Sequence, residues 1–273
     1  MTNSETTTES YTGIDDLIVS LSDGVLSMTL NRPDSLNSLT APMLQTIANV
    51  VERAATDPAV RVVRLGGAGR GFSSGAGIGA PDHANPGAIG APGDVLRAAN
   101  RAVRAIVALP KPVVSVVQGP AAGVGVSLAI SADIVVASEK AYFLLAFTKI
   151  GLMPDGGASA LVAASIGRAR AMRMALLAER LSAADALTAG LVSAVYPDDD
   201  LEAGVNAVIE TLKSGPAIAL RKTKHAINAA TLTELEDALD RETEGQMSLL
   251  SSHDFREGTK AFRQRRPAVF TDD

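Results

Sequence analysis

The chain has 273 residues, of which 47% are hydrophobic and 20% are charged, so it is too apolar for a disordered protein and long enough to bury a large core. Its net charge of −5 argues against a nucleic-acid-binding or anionic-membrane surface. It has no cysteine, which excludes disulfides, thiol catalysis and cysteine-bound metals, and its three histidines lack ligand spacing. We therefore expect a soluble, cytoplasmic, metal-free protein.

The N-terminal third begins with a polar segment, residues 1–13, that lacks the features of a signal peptide and predicts a disordered tail. Apolar stretches at 17–21 and 25–30 flank Ser22-Asp23-Gly24, which is typical of a β-hairpin. Thr40 then has the position of an N-cap before a stretch with helical apolar spacing.

The middle of the chain alternates between strand and helix signals. The pattern predicts strands at 60–65, 113–117 and 133–137, a helix at 94–109 and a Pro/Gly-rich loop at 81–93. Residues 113–132 are uncharged over a membrane-length window, but glycines and a proline interrupt them, which favours a strand, a turn and a buried helix. From about residue 150 onward the pattern is helical, apart from a strand-like stretch at 191–196.

Two glycine-rich stretches, 69–77 and 118–129, are the most informative features of the sequence. Small residues let the backbone approach a ligand, and such loops offer N–H groups that suit an oxyanion hole. Tight turns and close packing are the alternative explanation. Residues 75–80 also fit the G-x-G-x-x-A dinucleotide pattern, but prolines and glycines follow where a helix should begin, which argues against NAD binding.

Six segments occur in a specific order: LNRPDSLNSL at 30–39, GRGFSSGAGI at 69–78, VQGPAAGVGVSLAISADIVVAS at 117–138, IGLMPDGGAS at 150–159, GRARAM at 167–172 and LSAADALTAGLVSAV at 181–195. On these segments the chain resembles the crotonase, or enoyl-CoA hydratase/isomerase, superfamily over residues 14–270. The resemblance implies an α/β fold, with a spiral of ββα units forming two roughly perpendicular sheets in a core at 14–200. It also implies a C-terminal helical region at 201–273 that makes contacts in a homotrimer or hexamer.

The resemblance also implies an acyl-CoA thioester substrate, with no separate cofactor. Two backbone amides would stabilise the thioester enolate, and by alignment they belong to Ala76 and Val124. Val124 stands where glycine is usual, and Gly77 where aspartate is usual, but both departures leave the backbone role intact.

The family's hydratases use two glutamates, and the aligned residues here are Ser127 and Phe147. Hydration requires a group that activates water and a group that protonates the α-carbon. A hydroxyl and a phenyl ring cannot do this near neutral pH. The two-glutamate hydratase mechanism is therefore not available to this chain.

Asp155 is the carboxylate in a segment that the family uses for catalysis, beside Pro154. In the family's Δ3,Δ2-enoyl-CoA isomerases a carboxylate here moves a proton from C2 to C4, as in fatty-acid β-oxidation. Phe147 would then form an apolar wall that raises the carboxylate's pKa, or would belong to the ordinary core.

Asp155 could instead be a helix N-cap. Further alternatives are a dehalogenase, for which Asn100 replaces the expected histidine, other acyl-CoA chemistry of a hydratase-like protein, and a non-catalytic acyl-CoA binder.

The resemblance assigns substrate contacts to residues of the glycine loops and their neighbours: Leu36, Ser74, Ala76, Gly77, Ile78, Val124, Phe147 and Pro154. Near the C-terminus, four cations form a basic cluster that could meet the CoA phosphates or could be a solvated helix face: Lys260, Arg263, Arg265 and Arg266.

Overall fold

The computed structural model describes residues 11–77 and 92–272. Within these ranges the strands, in chain order, are β1 Leu17–Ser22, β2 Val25–Leu30, β3 Val62–Gly67, β4 Val113–Val117, β5 Pro120–Ala122, β6 Ile134–Ser138, β7 Tyr142–Leu144, β8 Leu181–Ser182 and β9 Ala194–Tyr196.

The α-helices of the described ranges fall mostly in the second half of the chain. They are α1 Ala41–Ala54, α2 Pro92–Ala108, α3 Val124–Ile130, α4 Ala158–Ile166, α5 Arg168–Leu177, α6 Ala183–Ala189, α7 Leu201–Ser214, α8 Ala217–Thr231, α9 Leu235–Leu249 and α10 His253–Gln264. None of the helices within 11–77 and 92–272 is long and apolar enough to cross a membrane.

The strands form two sheets. The larger sheet has the order β1-β2-β3-β4-β6-β9, with β1 and β2 antiparallel and the following pairs parallel. The smaller sheet has the order β5-β7-β8. The mixed α/β architecture with two sheets and a helical C-terminal region agrees with the predicted fold class.

The hairpin and the first helix form for local reasons. Asp23 and Gly24 both have positive φ, at 48° and 79°, as the two central residues of a type I′ turn require. Thr40 caps α1, because its side-chain oxygen accepts a hydrogen bond from the Met43 amide at 3.3 Å. Both predictions are confirmed.

Strand β4 is buried along its whole length, and its alternate residues serve two cores. Val113 and Val117 face the larger core, to which α1 and α2 contribute. Val114 and Val116 face a smaller core that is covered by α7. A central strand buried on both faces explains why this stretch carries no polar alternation.

Several predicted boundaries differ from those observed. The strands predicted at 60–65, 133–137 and 191–196 are found at Val62–Gly67, Ile134–Ser138 and Ala194–Tyr196, and the helix predicted at 94–109 spans Pro92–Ala108. The interrupted apolar window at 113–132 forms a strand, a turn with the short strand β5, and a helix, as expected. Most of the loop predicted at 81–93 lies outside the described residues.

The tail predicted at 1–13 extends too far into the folded chain. Tyr11 is 9% exposed, and its hydroxyl donates a hydrogen bond to Asp57 at 2.9 Å. The guanidinium of Arg53 lies over its ring, 4.4 Å from the centroid. Packing against residues more than 40 positions away orders a segment whose own composition is polar.

A partly buried ion pair fixes helix α8, none of whose residues is fully buried. The Lys224 ammonium lies 2.9 Å from the Asp133 carboxylate and also donates to the carbonyl oxygens of Ile106 and Lys111. Asp133 accepts a further hydrogen bond from the Val113 amide at 2.7 Å. Burial raises the pKa of Asp133 and lowers that of Lys224, and their mutual attraction opposes both shifts.

We expect Lys224→Met to lower the free energy of unfolding by about 3 kcal/mol, because it leaves the Asp133 charge buried without its partner. The double variant Asp133→Asn/Lys224→Met should recover most of this loss. Urea unfolding at neutral pH measures both. Arg104→Met, which breaks the exposed pair with Glu236, is the control and should change stability little. A Lys224→Met protein as stable as the parent would contradict the role given to the pair.

Candidate active site

The two glycine-rich stretches come together in the fold. An isolated parallel bridge joins Ser73 to Ala121, and the Ala122 amide donates to the Ser73 carbonyl at 2.8 Å. Gly75 has a φ of +86°, and a Cβ atom on it would lie 2.7 Å from the Ala122 carbonyl oxygen. The crossing of the two loops therefore requires glycine at this position.

The Ala76 amide takes no part in the backbone hydrogen bonds between its loop and Leu39. Leu39 donates to the Gly75 carbonyl at 2.8 Å and accepts from the Gly77 amide at 3.4 Å. This pattern uses the groups on either side of Ala76, so that the Ala76 N–H points away from Leu39. Within 11–77 and 92–272 it has no hydrogen-bond acceptor.

The Val124 amide also has no hydrogen-bond acceptor among the described residues, for a different reason. Val124 is the first residue of α3, and the first N–H groups of a helix have no partner within that helix. The preceding Gly123 has a φ of +54° and donates its own amide to Leu144 at 2.9 Å. A Cβ atom on Gly123 would lie 3.8 Å from the Gly75 Cα, so the residues that precede the two free amides are neighbours.

The segment around Asp155 packs against the first turns of α3. A Cβ atom on Gly156 would lie 2.9 Å from Val124 Cγ2 and 3.1 Å from Ser127 Cβ. The Ser127 hydroxyl donates to the Asp155 carbonyl oxygen at 2.7 Å. Phe147 is 7% exposed, and its ring tip would lie 3.9 Å from a Cβ on Gly123. These contacts bring the candidate base, the phenyl ring and one of the glycine loops to one place.

The Asp155 carboxylate is bound on one oxygen and unbound on the other. Oδ2 accepts a hydrogen bond from the Gln246 side chain at 2.8 Å. Oδ1 is buried and has no hydrogen-bond partner among the described residues. Burial raises the pKa of Asp155 to about 7; the Gln246 hydrogen bond lowers it and the nearby Glu242 charge raises it. A carboxylate with a pKa near neutrality and one free oxygen is suited to proton transfer.

The alternative in which Asp155 caps the next helix is wrong. Helix α4 begins at Ala158 and its N-cap residue is Gly157, without a side-chain capping hydrogen bond. The amides at this end are bound instead by Glu242, whose two carboxylate oxygens accept from Gly157 at 2.6 Å and Ser159 at 2.7 Å. The cap is therefore supplied by a distant helix.

Gln246 and Glu242 are site residues that the sequence analysis missed. Both lie on α9, and both are 1% exposed. The sequence does hold a signal for them, because they follow Leu235 and Leu239 at helical spacing and thus place polar side chains on an apolar face. What they bind could not be read from that spacing.

The substrate-binding residues predicted from the first glycine loop lie beside Leu36. The Ser74 amide donates to the Leu36 carbonyl at 2.8 Å, and the Ser74 hydroxyl donates to the Ser35 carbonyl at 2.9 Å. Gly77 is buried, and Pro154 is half-buried next to Asp155. Ile78 lies outside the described residues.

Two further predicted groups have partners in the fold. Arg266 of the basic cluster makes an ion pair with Glu257, which holds the pKa of that carboxyl at about 2. Asn100, aligned with the dehalogenase histidine, is buried on α2 and donates to the Thr243 hydroxyl at 2.8 Å. One cation of the cluster is thus used within the chain, and Asn100 bridges two helices.

The chain is similar in sequence to a known family of enzymes. A sequence profile of the enoyl-CoA hydratase/isomerase family matches residues 20–273. A relative from Escherichia coli (strain K12), 1,2-epoxyphenylacetyl-CoA isomerase, is 39% identical over 91% of this chain and 95% of its own length. A probable enoyl-CoA hydratase from Rhodobacter capsulatus is 38% identical over 92% of this chain and 96% of its own length.

A solved structure is similar along nearly the whole chain. It is the crystal structure of an enoyl-CoA hydratase from Mycobacterium avium subsp. paratuberculosis K-10, with a TM-score of 0.88 and 64% identity. The match covers 95% of this chain and 100% of the other. The sequence and structure comparisons thus agree over nearly the whole chain.

Proposed function

The chain belongs to the enoyl-CoA hydratase/isomerase family, and we propose that within this family it isomerises 3-enoyl-CoA to 2-enoyl-CoA, with Asp155 as its single base. The observation that carries this proposal is the Asp155 side chain, which belongs to a segment packed against α3 and whose Oδ1 atom is buried and unpartnered among the described residues. The names of its relatives leave the reaction open, since they include both isomerases and hydratases. The choice therefore depends on the residues of the site.

The proposed reaction moves one proton and needs no cofactor. The Asp155 carboxylate removes a proton from C2, and the electrons flow to the thioester oxygen to form an enolate. The amides of Ala76 and Val124 stabilise the negative charge on that oxygen. The protonated Asp155 then returns the proton to C4, and the double bond moves from C3–C4 to C2–C3.

Hydration is disfavoured by the residues at the two glutamate positions. The Ser127 hydroxyl is committed to the Asp155 carbonyl, and Phe147 cannot transfer a proton. Glu242 is a second buried carboxylate close to Asp155, but both of its oxygens bind backbone amides of the α4 end. Glu242 is therefore already hydrogen-bonded to the backbone at the start of α4 and is not available to activate water.

The experiment that tests this function is a direct assay with two substrates. We expect the purified protein to convert 3-hexenoyl-CoA to the conjugated thioester, followed by the rise in enoyl absorbance, and to hydrate crotonyl-CoA negligibly. Hydration at roughly 1–1,000 turnovers per second would contradict the proposal, because it would require another acid/base pair. Tight binding of acyl-CoA with turnover of neither substrate would favour a non-catalytic binder.

We expect Asp155→Asn to lower the isomerisation rate by ~100- to 10,000-fold, since a positioned base contributes about that factor. The substitution is nearly isosteric and keeps an acceptor for Gln246, so folding and CoA binding should persist. Thermal shift with acyl-CoA checks binding. Asp198→Asn is a matched control, because that carboxylate lies on the surface with Lys140. An Asp155→Asn enzyme that keeps the parent rate would remove Asp155 from the mechanism.

We expect Val124→Pro to slow the reaction by about 100-fold or more, because it deletes one of the two proposed amide donors. Proline is tolerated at the first position of a helix, and Val124 has that position in α3, so the fold should survive. Val124→Ala, which keeps the N–H, is the control for the lost side chain. Circular dichroism establishes folding before the rates are compared. Equal rates for the two variants would exclude the Val124 amide from the oxyanion site.

The proposal includes assembly into a homotrimer. Large apolar side chains on C-terminal helices support it: Ile218 is 65% exposed, Ile227 56% and Phe262 63%. Such side chains favour contact with another subunit over contact with water. Light scattering at micromolar concentration should give three times the mass of the chain or a multiple of that value, and a stable monomer would contradict this part of the proposal.

A further inference from the structure

One side chain by which helix α9 holds the Asp155 segment is that of Gln246. Its amide nitrogen donates to the Asp155 carboxylate at 2.8 Å and to the Met153 carbonyl at 2.9 Å. Its amide oxygen accepts from the Met153 backbone amide at 3.2 Å. All three hydrogen bonds go to a stretch of three residues, so the Gln246 side chain is fixed at both ends.

One turn earlier on the same helix, Glu242 holds the other side of that segment. Its two oxygens accept from the amides of Gly157 and Ser159, and the residue is 1% exposed. The carboxylate also acts on Asp155 as a like charge. Burial raises the pKa of Glu242, and its hydrogen bonds with Ser159 and Gly157 oppose that shift.

Two glycines, one on α9 and one on the Asp155 segment, allow the helix and the segment to pack closely. A Cβ atom on Gly245 would lie 2.4 Å from the Met153 sulfur, so the helix backbone touches the segment it holds. On the other side, a Cβ on Gly157 would lie 2.8 Å from the Leu235 side chain. Both contacts involve side-chain atoms of the neighbouring element, and they place α9 directly against the segment that carries Asp155.

We propose that Gln246 and Glu242 are positioning residues for the base. Gln246 binds Oδ2 and leaves Oδ1 as the atom that exchanges the proton, while Glu242 holds the backbone that follows Asp155 through the amides of Gly157 and Ser159. This inference rests on the proposed function of Asp155. Neither residue touches the reacting atoms; each acts through the carboxylate that does.

Of the described residues near the Asp155 segment on other elements, two are uncharged. The Ser127 hydroxyl of α3 donates to the Asp155 carbonyl, and Phe147 of the 147–150 turn lies beside Gly123. Among the described residues, Glu242 is the charged group that acts on Asp155. Arg241, its neighbour on α9, acts on Glu242 and favours the ionised form of that residue.

The two residues shift the proton affinity of Asp155 in opposite directions. The Gln246 hydrogen bond stabilises the carboxylate and lowers its pKa, whereas the Glu242 charge destabilises the carboxylate and raises it. A base works when deprotonated, so the rate should rise with pH through the pKa of Asp155, which is about 7. Loss of Gln246 should move this acid limb to higher pH, and loss of the Glu242 charge should move it to lower pH.

The test is the pH dependence of kcat/KM for 3-hexenoyl-CoA with the full-length protein. We expect Gln246→Met, of similar volume, to shift the acid limb upward by about half a pH unit or more. Glu242→Gln should shift the limb downward by a similar amount. Glu236→Gln removes an exposed charge from the same helix and is the matched control, with an unchanged limb. A purely structural role would lower the rate in both variants without moving the limb in opposite directions.

A second measurement does not require the Gln246 and Glu242 variants to fold. Infrared titration of the parent should show a carboxyl band that disappears as pH rises through about 7 and is absent from Asp155→Asn. If no such band titrates, or if both foldable variants leave the limb in place, the positioning role is wrong. Those results differ from failure of the proposed function, which would appear as an active Asp155→Asn enzyme.

Discussion

The contact between the backbone of Gly75 and the carbonyl of Ala122 is the constraint on which the site depends. A side chain at Gly75 would collide with that carbonyl at 2.7 Å and would strain a backbone with a φ of +86°. The first loop is also bound by Leu39 and the second by Leu144, so the crossing brings the residues that precede Ala76 and Val124 close together. Because the proposed donors are backbone amides, Val124 supplies an N–H group as glycine would.

Around this backbone site the chain places one carboxylate in a dry environment. Desolvation raises the pKa of Asp155 to about 7, where both protonation states are populated at neutral pH. An isolated buried carboxylate would be costly, so the structure satisfies half of it through Gln246 and leaves the other oxygen free. A buried polar atom without a hydrogen-bond partner calls for an explanation. Here one such atom, Oδ1 of Asp155, belongs to the candidate base.

The C-terminal helices serve the site as well as the surface. Helix α9 supplies the amide that holds Asp155 and the carboxylate that caps α4, so the segment at 153–159 is bound on its outer side along most of its length. Helix α8 is attached to the opposite end of the sheet by the Lys224–Asp133 pair. Helix α9 is thus fixed by hydrogen bonds with the Asp155 segment, and helix α8 by a partly buried ion pair.

Local sequence determined the features that depend on neighbouring residues. The Asp23-Gly24 turn, the Thr40 cap and the buried strand at Val113–Val117 follow from conformational preference and hydrophobic spacing over a few residues. The family resemblance of the sequence also predicted that Ser127 and Phe147 stand at the two glutamate positions, with Asp155 as the candidate base. Only the tertiary structure decided what surrounds Asp155, because Gln246 and Glu242 are about 90 positions away along the chain. The short strands β5, β7 and β8 and the ordered Tyr11 likewise exist through distant partners, and composition within a local window carries no information about such contacts.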